Sequence, residues 1–360
     1  MKQEIKTLQY LRGIAALSVV FYHYRWFLNS SNQLDIPNLG DILFTSGAFG
    51  VDLFFIISGF VIILSTEKDI GLYKNSLSFT LKRIFRIYPI LLFFVLISIF
   101  IKKPDLIPSI KSLIPIQLDY SSKPPYFGYN VLIVAWTLTY ELFFYLIFLI
   151  SMMLNHKYRG VICCFLILFM FIVTQYVFSG GITLNAYQSQ NINLPVYFSA
   201  PLSLISSPMI LEFCLGIVAY YIYKHTKKED NAEREPYNII SACFILFLFI
   251  ILITHTKFSG HGVLKWGLTS FLLVVSITIY EKKFNCKNYP SLLFLGSISY
   301  SIYMSHIPLL MLVNVIANYV NTTGFPLMAI AIIIVIIAST LTYFLIEKPA
   351  IKCCKKINLR

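Results

Sequence analysis

Histidine, arginine and carboxylate side chains recur inside stretches that are otherwise apolar, and their spacing points to base-assisted group transfer. In LRGIAALSVVFYH, Arg12 and His23 are eleven residues apart. That is close to three helical turns, so a helix projects both from one face, about 16 Å apart along its axis. Asp52, in FGVDLFFIISGF, is expected at a depth similar to that of His23. A carboxylate bound to one ring nitrogen would fix the tautomer and make the other nitrogen a better base, which gives Asp52 the expected role of orienting His23. In LKRIFRIYP, Arg83 and Arg86 are three apart and follow Lys82, so a helix presents two guanidinium forks of the kind that match phosphate oxygens. The preference of basic residues for the cytoplasmic side explains the same cluster equally well.

Two further stretches carry polar groups where lipid would be expected. AWTLTYELFFYL places Glu141 among Trp136, Tyr140 and Tyr145. A carboxylate there must be paired, protonated or functional, because an uncompensated one is costly in an apolar medium. LGSISYSIYMSHIP holds Ser299, Tyr300, Tyr303 and His306, with Tyr303 and His306 on one face or serving only helix packing. Gly50, Ser58 and Gly59 are small enough for close helix approach. The IEKP run at 346–349 is read as a helix stop, without chemistry.

The elements that must hold these groups are membrane spans. Charged residues make up 12% of the 360 positions against 58% hydrophobic, and mean hydropathy is +0.74. That is too little polar surface for a water-facing fold, and it excludes disordered, collagenous, coiled-coil and disulfide-scaffold classes. The chain reads as one all-α polytopic membrane domain over 1–360. Spans are expected near 11–28, 48–65, 85–101, 131–153, 161–178, 202–223, 238–254, 263–280, 292–313 and 325–346. Placing both termini inside puts 22 Lys and Arg inside and 7 outside, the N-in, C-in arrangement. This topology accounts for most of the +13 net charge without nucleic acid. No cleavable leader is read at the N-terminus, since Arg12 and His23 interrupt or flank the first apolar stretch.

The seven cysteines fall in spans or on the inside, which argues against a disulfide framework. Neither zinc-ligand spacing nor a nucleotide glycine motif occurs, so no metal and no permanently bound cofactor is expected. The segments 102–130 and 179–201 suit ordered caps over a cavity. In them Tyr120, Tyr126, Tyr129, Tyr187 and Tyr197 are candidates for stacking on a sugar ring or for an interfacial aromatic belt.

Taken together, these motifs resemble those of the integral-membrane acyltransferase family 3, the bacterial O-acyltransferases of surface glycans. The resemblance rests on Arg12-x10-His23, GVDLFFIISGF at 50–60, KRIFRIYP at 82–89, WTLTYELFFYL at 136–146 and SYSIYMSH at 299–306, in that order. It implies an acyl-CoA donor, usually acetyl-CoA, entering from the cytoplasmic side, and an acceptor hydroxyl on a surface or exopolysaccharide sugar or its lipid-linked precursor. Carried onto this chain, His23 is the expected general base. Arg12, Arg83, Arg86 and Trp136 are expected at the donor, with Tyr140, Tyr300, Tyr303 and His306 lining the cavity or meeting the acceptor. Asp52 and Glu141 are expected to support catalysis, Glu141 by organising the buried end of the donor channel. Direct transfer without an acyl-enzyme is expected, in the bacterial inner membrane among its lipids and alongside polysaccharide-assembly proteins. Some members carry an extra C-terminal hydrolase-like domain; this chain is expected to lack it. The competing reading of intramembrane Arg, His, Asp and Glu is a proton-coupled transporter, but the two halves show no matching motif order.

Overall fold

A computed structural model describes residues 5–69, 71–114, 117, 119–120, 122–188, 192, 194–227, 235–254, 259–284 and 286–358. Among them the regular structure is helical: α1 (Lys6–Tyr24), α2 (Trp26–Ser30), α3 (Leu39–Phe44), α4 (Gly50–Ser65), α5 (Leu72–Lys102), α6 (Leu106–Leu113), α7 (Trp136–Leu154) and α8 (Arg159–Ser179). Then come α9 (Val196–Ser206), α10 (Leu211–His225), α11 (Glu235–Ile253), α12 (Leu268–Phe284), α13 (Pro290–Val320), α14 (Gly324–Thr342) and α15 (Lys348–Asn358).

Among the described residues, seven helices are long and apolar enough to cross a bilayer, and an eighth is reached if the bent pair Phe198–Ser206 and Pro208–His225 counts as one span. The expected ten is therefore not reached by length and apolarity. α1 carries Lys6, Arg12 and His23, and the apolar part of α11, Ile239–Ile253, is short for a span. The bend of 63° falls at Pro208, whose ring and missing N–H prevent a continuous helix. α5 begins thirteen residues before the expected span at 85, so Arg83 and Arg86 sit within the helix rather than at its entrance.

Lipid is the natural covering for the outer helices. The apolar windows of α8 and α14 are only 28% and 17% buried within the protein, and Leu168, Phe169, Ile333 and Ile337 face outward. Inside, one apolar core gathers α4, α7 and α10, and a second lies between α1, α13 and α14. Backbones come close where glycine permits it. A Cβ on Gly59 or Gly216 would collide with the facing backbone of α10 or α4, and one on Gly296 with Gln9 of α1. These approaches fix α4 against α10 and α13 against α1, and both pairings carry residues of the site.

Candidate active site

A cavity opens between α1, α4, α5, α7 and α13, with about 790 Å³ of space outside atoms when its solvent-open mouth is included. Arg12, Arg83 and Arg86 line it together with Ser58, Thr137, Glu141, Tyr145, Ser299, Tyr300 and Tyr303. Arg12 donates to Gln9 Oε1 at 3.0 Å. Arg83 reaches Ser65 Oγ at 3.2 Å and lies over the Tyr145 ring, its carbon 4.8 Å from the centroid, while its buried Nε finds no partner among the described residues. Arg86 makes no hydrogen bond or ion pair to a described residue, although Glu347 and Arg12 lie close enough to act on it electrostatically. Glu141 accepts from Ser58 Oγ at 3.1 Å and from the Tyr145 hydroxyl, so its carboxylate is held by hydroxyls. Three guanidinium groups against one lining carboxylate make the cavity an anion-selective space.

Tyr303 links the cavity to a pair of histidines. Its hydroxyl shares a hydrogen bond with Thr137 Oγ1 at 3.1 Å, and its ring lies 5.8 Å from that of His306. His306 is fully buried; its Nδ1 lies 3.2 Å from the Ile302 carbonyl and its Nε2 lies 3.1 Å from His23 Nδ1. His23 Nδ1 is also 3.0 Å from the Val19 carbonyl. A carbonyl only accepts, so with both rings neutral the network assigns hydrogen to Nδ1 of each. His306 Nε2 then accepts from His23 Nδ1–H, and the lone pair of His23 is left on Nε2. This is the tautomer a general base needs at that atom.

Asp52 lies elsewhere than expected. Its Oδ2 is 2.7 Å from His261 Nδ1 and its Oδ1 accepts the Gly262 N–H at 3.0 Å, so the carboxylate orients His261 and not His23. Helix rotation is the reason. A Cβ on Gly50 would meet Ala15 and Val19 of α1, and two residues on, at about 200°, Asp52 faces away from α1. Trp136 is likewise not at the donor cavity. It opens α7 beside Tyr126, Tyr140 and His261, with ring centroids 5.0, 5.9 and 5.8 Å away. Its neighbour Thr137 does line the cavity, so Trp136 is turned away by the helical step of about 100° between them. Tyr140 is buried and donates to the Pro125 carbonyl at 3.0 Å and Ser207 Oγ at 3.1 Å, a packing position rather than a lining one. His306 too lies behind the lining, through Tyr303. Arg12, Arg83, Arg86, Glu141, Tyr300 and Tyr303 are brought together; His23 joins them by way of His306 and Tyr303.

Sequence reasoning missed His261, Glu212 and Glu347. Glu347, from the run read as a helix stop, accepts from Ser301 Oγ at 2.8 Å behind the arginines. The expected stop is not one: the helical run continues through Tyr343–Glu347 into α15, with Pro349 in the first turn of α15, so Glu347 stays inside the helix; an acidic residue at the end of a mostly apolar stretch was the available signal. Nothing local marks His261, whose partner is 209 positions away. The side chain of Tyr197 lies outside the described residues. Burial pushes the Cys286 thiol up to about 11, which keeps it protonated and weakly nucleophilic at neutral pH.

A family model described as an acyltransferase domain matches residues 5–344. Among curated proteins, one of Staphylococcus aureus strain COL, named only provisionally as an O-acetyltransferase, is 27% identical over 370 aligned residues, covering 94% of this chain and 56% of the relative. The O-acetyltransferase OatA of Staphylococcus aureus strain NCTC 8325 is 26% identical over 366, with the same coverage. The chain thus spans about 56% of the length of the curated relatives it matches. No solved structure matches it. The chain belongs to this acyltransferase family, and its apolar helices make it an integral membrane protein.

Proposed function

From that membership we propose that the protein is an O-acetyltransferase of the bacterial cytoplasmic membrane. It moves acetyl from acetyl-CoA to a hydroxyl of a cell-surface or exopolysaccharide sugar or its lipid-linked precursor. The observation that carries this reading is the cavity that joins three guanidinium groups, one of them unpaired among the described residues, to Tyr303 and so to the His23–His306 pair. The donor's phosphates sit against Arg12, Arg83 and Arg86, and its thioester end points along the cavity towards Tyr303. With both termini cytoplasmic, the arginines face the compartment that holds acyl-CoA and His23 faces the outer half.

In the transfer step, His23 Nε2 takes the proton of the acceptor hydroxyl as its oxygen forms a bond to the acetyl carbonyl carbon. The C–S bond then breaks, and the departing CoA thiolate takes a proton back from the His23 imidazolium, so the enzyme is unchanged over a cycle. His306 holds His23 in the reactive tautomer and needs no proton of its own. Glu141, fixed by Ser58 and Tyr145, organises the donor end without occupying a guanidinium. Base assistance of this kind contributes roughly 10²–10⁴-fold.

The test is transfer of label from acetyl-labelled acetyl-CoA into the lipid and glycan fractions of membranes holding equal amounts of wild type or His23→Ala. Base-labile label with wild type and none with the variant is the expected result. Absence of transfer by intact wild type, with other acyl-CoA donors also tried, would sink the proposal.

A further inference from the structure

A second histidine centre lies apart from the arginine-lined cavity. His261 is 4% exposed and is fixed at three points: Nδ1 by Asp52, its backbone N–H by the Tyr187 hydroxyl at 3.1 Å, and the next backbone N–H, that of Gly262, by the other Asp52 oxygen. Gly262 has φ of 121°, a conformation that L side chains rarely adopt, and this turn brings its N–H onto Asp52. Asp52 is fully buried, and an ionised carboxylate only accepts, so Nδ1 of a neutral His261 carries the hydrogen and Nε2 presents a lone pair. Nε2 has no hydrogen-bond partner among the described residues.

Aromatic rings pack around the imidazole. Tyr126, Trp136, Tyr187 and Trp266 lie 6.1, 5.8, 6.3 and 5.3 Å from the His261 ring by centroid. One polar group of the box is unused: the Trp266 side chain is 6% exposed and its indole N–H has no acceptor among the described residues. Glu212, fully buried, faces the Asp52 carboxylate and the Gly262 backbone. Burial holds the phenols of Tyr126 and Tyr187 above their ordinary range, so both stay protonated, and their hydroxyls engage each other. Flat rings, a bare imidazole lone pair and an idle indole N–H together suit a hydroxyl-rich ring. Its C–H face packs on aromatic surface while its hydroxyls find an acceptor at His261 and a donor at Trp266.

We propose that this aromatic box is the acceptor subsite, where a sugar ring lies against Trp136 and Trp266 and one of its hydroxyls donates to His261 Nε2. The inference deepens the acetyl-transfer reading and rests on it only for the word acceptor; the sugar site itself stands on the box.

Two of the chain's three tryptophans lie in the box and the third, Trp26, is 57% exposed, so intrinsic fluorescence reports occupancy without any turnover. The whole chain in lipid nanodiscs is titrated with maltotriose, cellotriose and triacetylchitotriose, and binding of labelled acetyl-CoA is measured on the same samples. A saturable fluorescence change with at least one sugar is expected. His261→Gln should weaken it about tenfold, the worth of one buried hydrogen bond to a substrate hydroxyl, with acetyl-CoA binding unchanged. His23→Ala should keep the sugar response while losing transfer. No saturable response of wild type to any of the three overturns the proposal. So does an undiminished response in His261→Gln. Should His261→Gln also lose acetyl-CoA binding, Trp266→Phe, which keeps an aromatic face but removes the N–H and the five-membered ring, decides in its place, with Trp136 as the remaining reporter in the box: weaker sugar binding supports the box and equal binding overturns it. Sugar binding by a wild type that binds no acetyl-CoA would support the box and sink the transferase reading instead.

Discussion

His23 sits on a packed helix and His261 in the bend that precedes α12, and they are held in different ways. His23 gives its Nδ1–H to neutral acceptors, a backbone carbonyl and a second imidazole, and is joined to the arginine cavity through two rings, His306 and Tyr303. His261 gives its Nδ1–H to a buried carboxylate and is walled by tryptophan and tyrosine. The difference teaches that a His–carboxylate pair is not by itself the mark of the transfer centre. In this chain the carboxylate that looked suited to orient His23 serves the other histidine, and position relative to the anion-binding cavity decides which ring meets the donor.

The sharpest way to break that division of labour is His23→Ala. Label transfer should fall by about 10²–10⁴-fold while acetyl-CoA binding persists. An equal fall in turnover for His261→Gln at saturating acceptor, with His23→Ala active, would reverse the two roles. Next in size is Arg86→Gln. Removing a guanidinium that has no partner among the described residues should raise the Michaelis constant for acetyl-CoA about tenfold or more, the scale of one charge-assisted hydrogen bond, with little change in turnover. His306→Phe should act through His23 alone. Turnover is expected to drop about five- to tenfold as the tautomer loses its anchor, with donor affinity unaltered, and His306→Gln, which can still accept a hydrogen bond, should recover part of it.

A change remote from both histidines sets the floor. The Asp69 carboxyl is held below its ordinary range, chiefly by the Gly71 N–H and then by the Asn75 amide. Its local stabilisation is therefore complete above the ordinary carboxylate range and fades only as pH falls through the lower, folded-state value. Asp69→Asn should leave transfer at neutral pH unchanged within error, lower protease resistance around residue 69 at neutral pH, and abolish the acid-dependent loss of that resistance seen in wild type, so that the two converge at low pH. A large effect on transfer would blur the contrast between the two centres.

Much of the first centre was legible because its information is local. The eleven-residue step from Arg12 to His23 and the three-residue step from Arg83 to Arg86 are properties of one helix each, and helical period alone places each pair on one face. The second centre is the product of contacts that no local pattern encodes. Asp52 meets His261 across 209 residues, and its direction follows from which face of α4 the small Gly50 gives to α1. Trp136 was grouped with the donor because it shares a motif with Glu141; the helix start at Trp136 puts it a turn and more away, with the loop aromatics. His306 was placed on the right helix, but that its imidazole would bind another imidazole 283 positions earlier needed the close α1–α13 contact made at Gly13 and Gly296.

α1 is also a measuring rod. Because Arg12 and His23 ride on one continuous helix, the distance between the proposed donor-phosphate site and the proposed base is written as a count of residues rather than as the sum of several adjustable contacts. Inserting one residue between them would swing His23 by about 100° off α13, whereas inserting four would return it to within about 40° and lengthen the gauge by about 6 Å. The register of a single helix therefore sets the calibre of the donor, and with it the tolerance for acyl arms of other lengths.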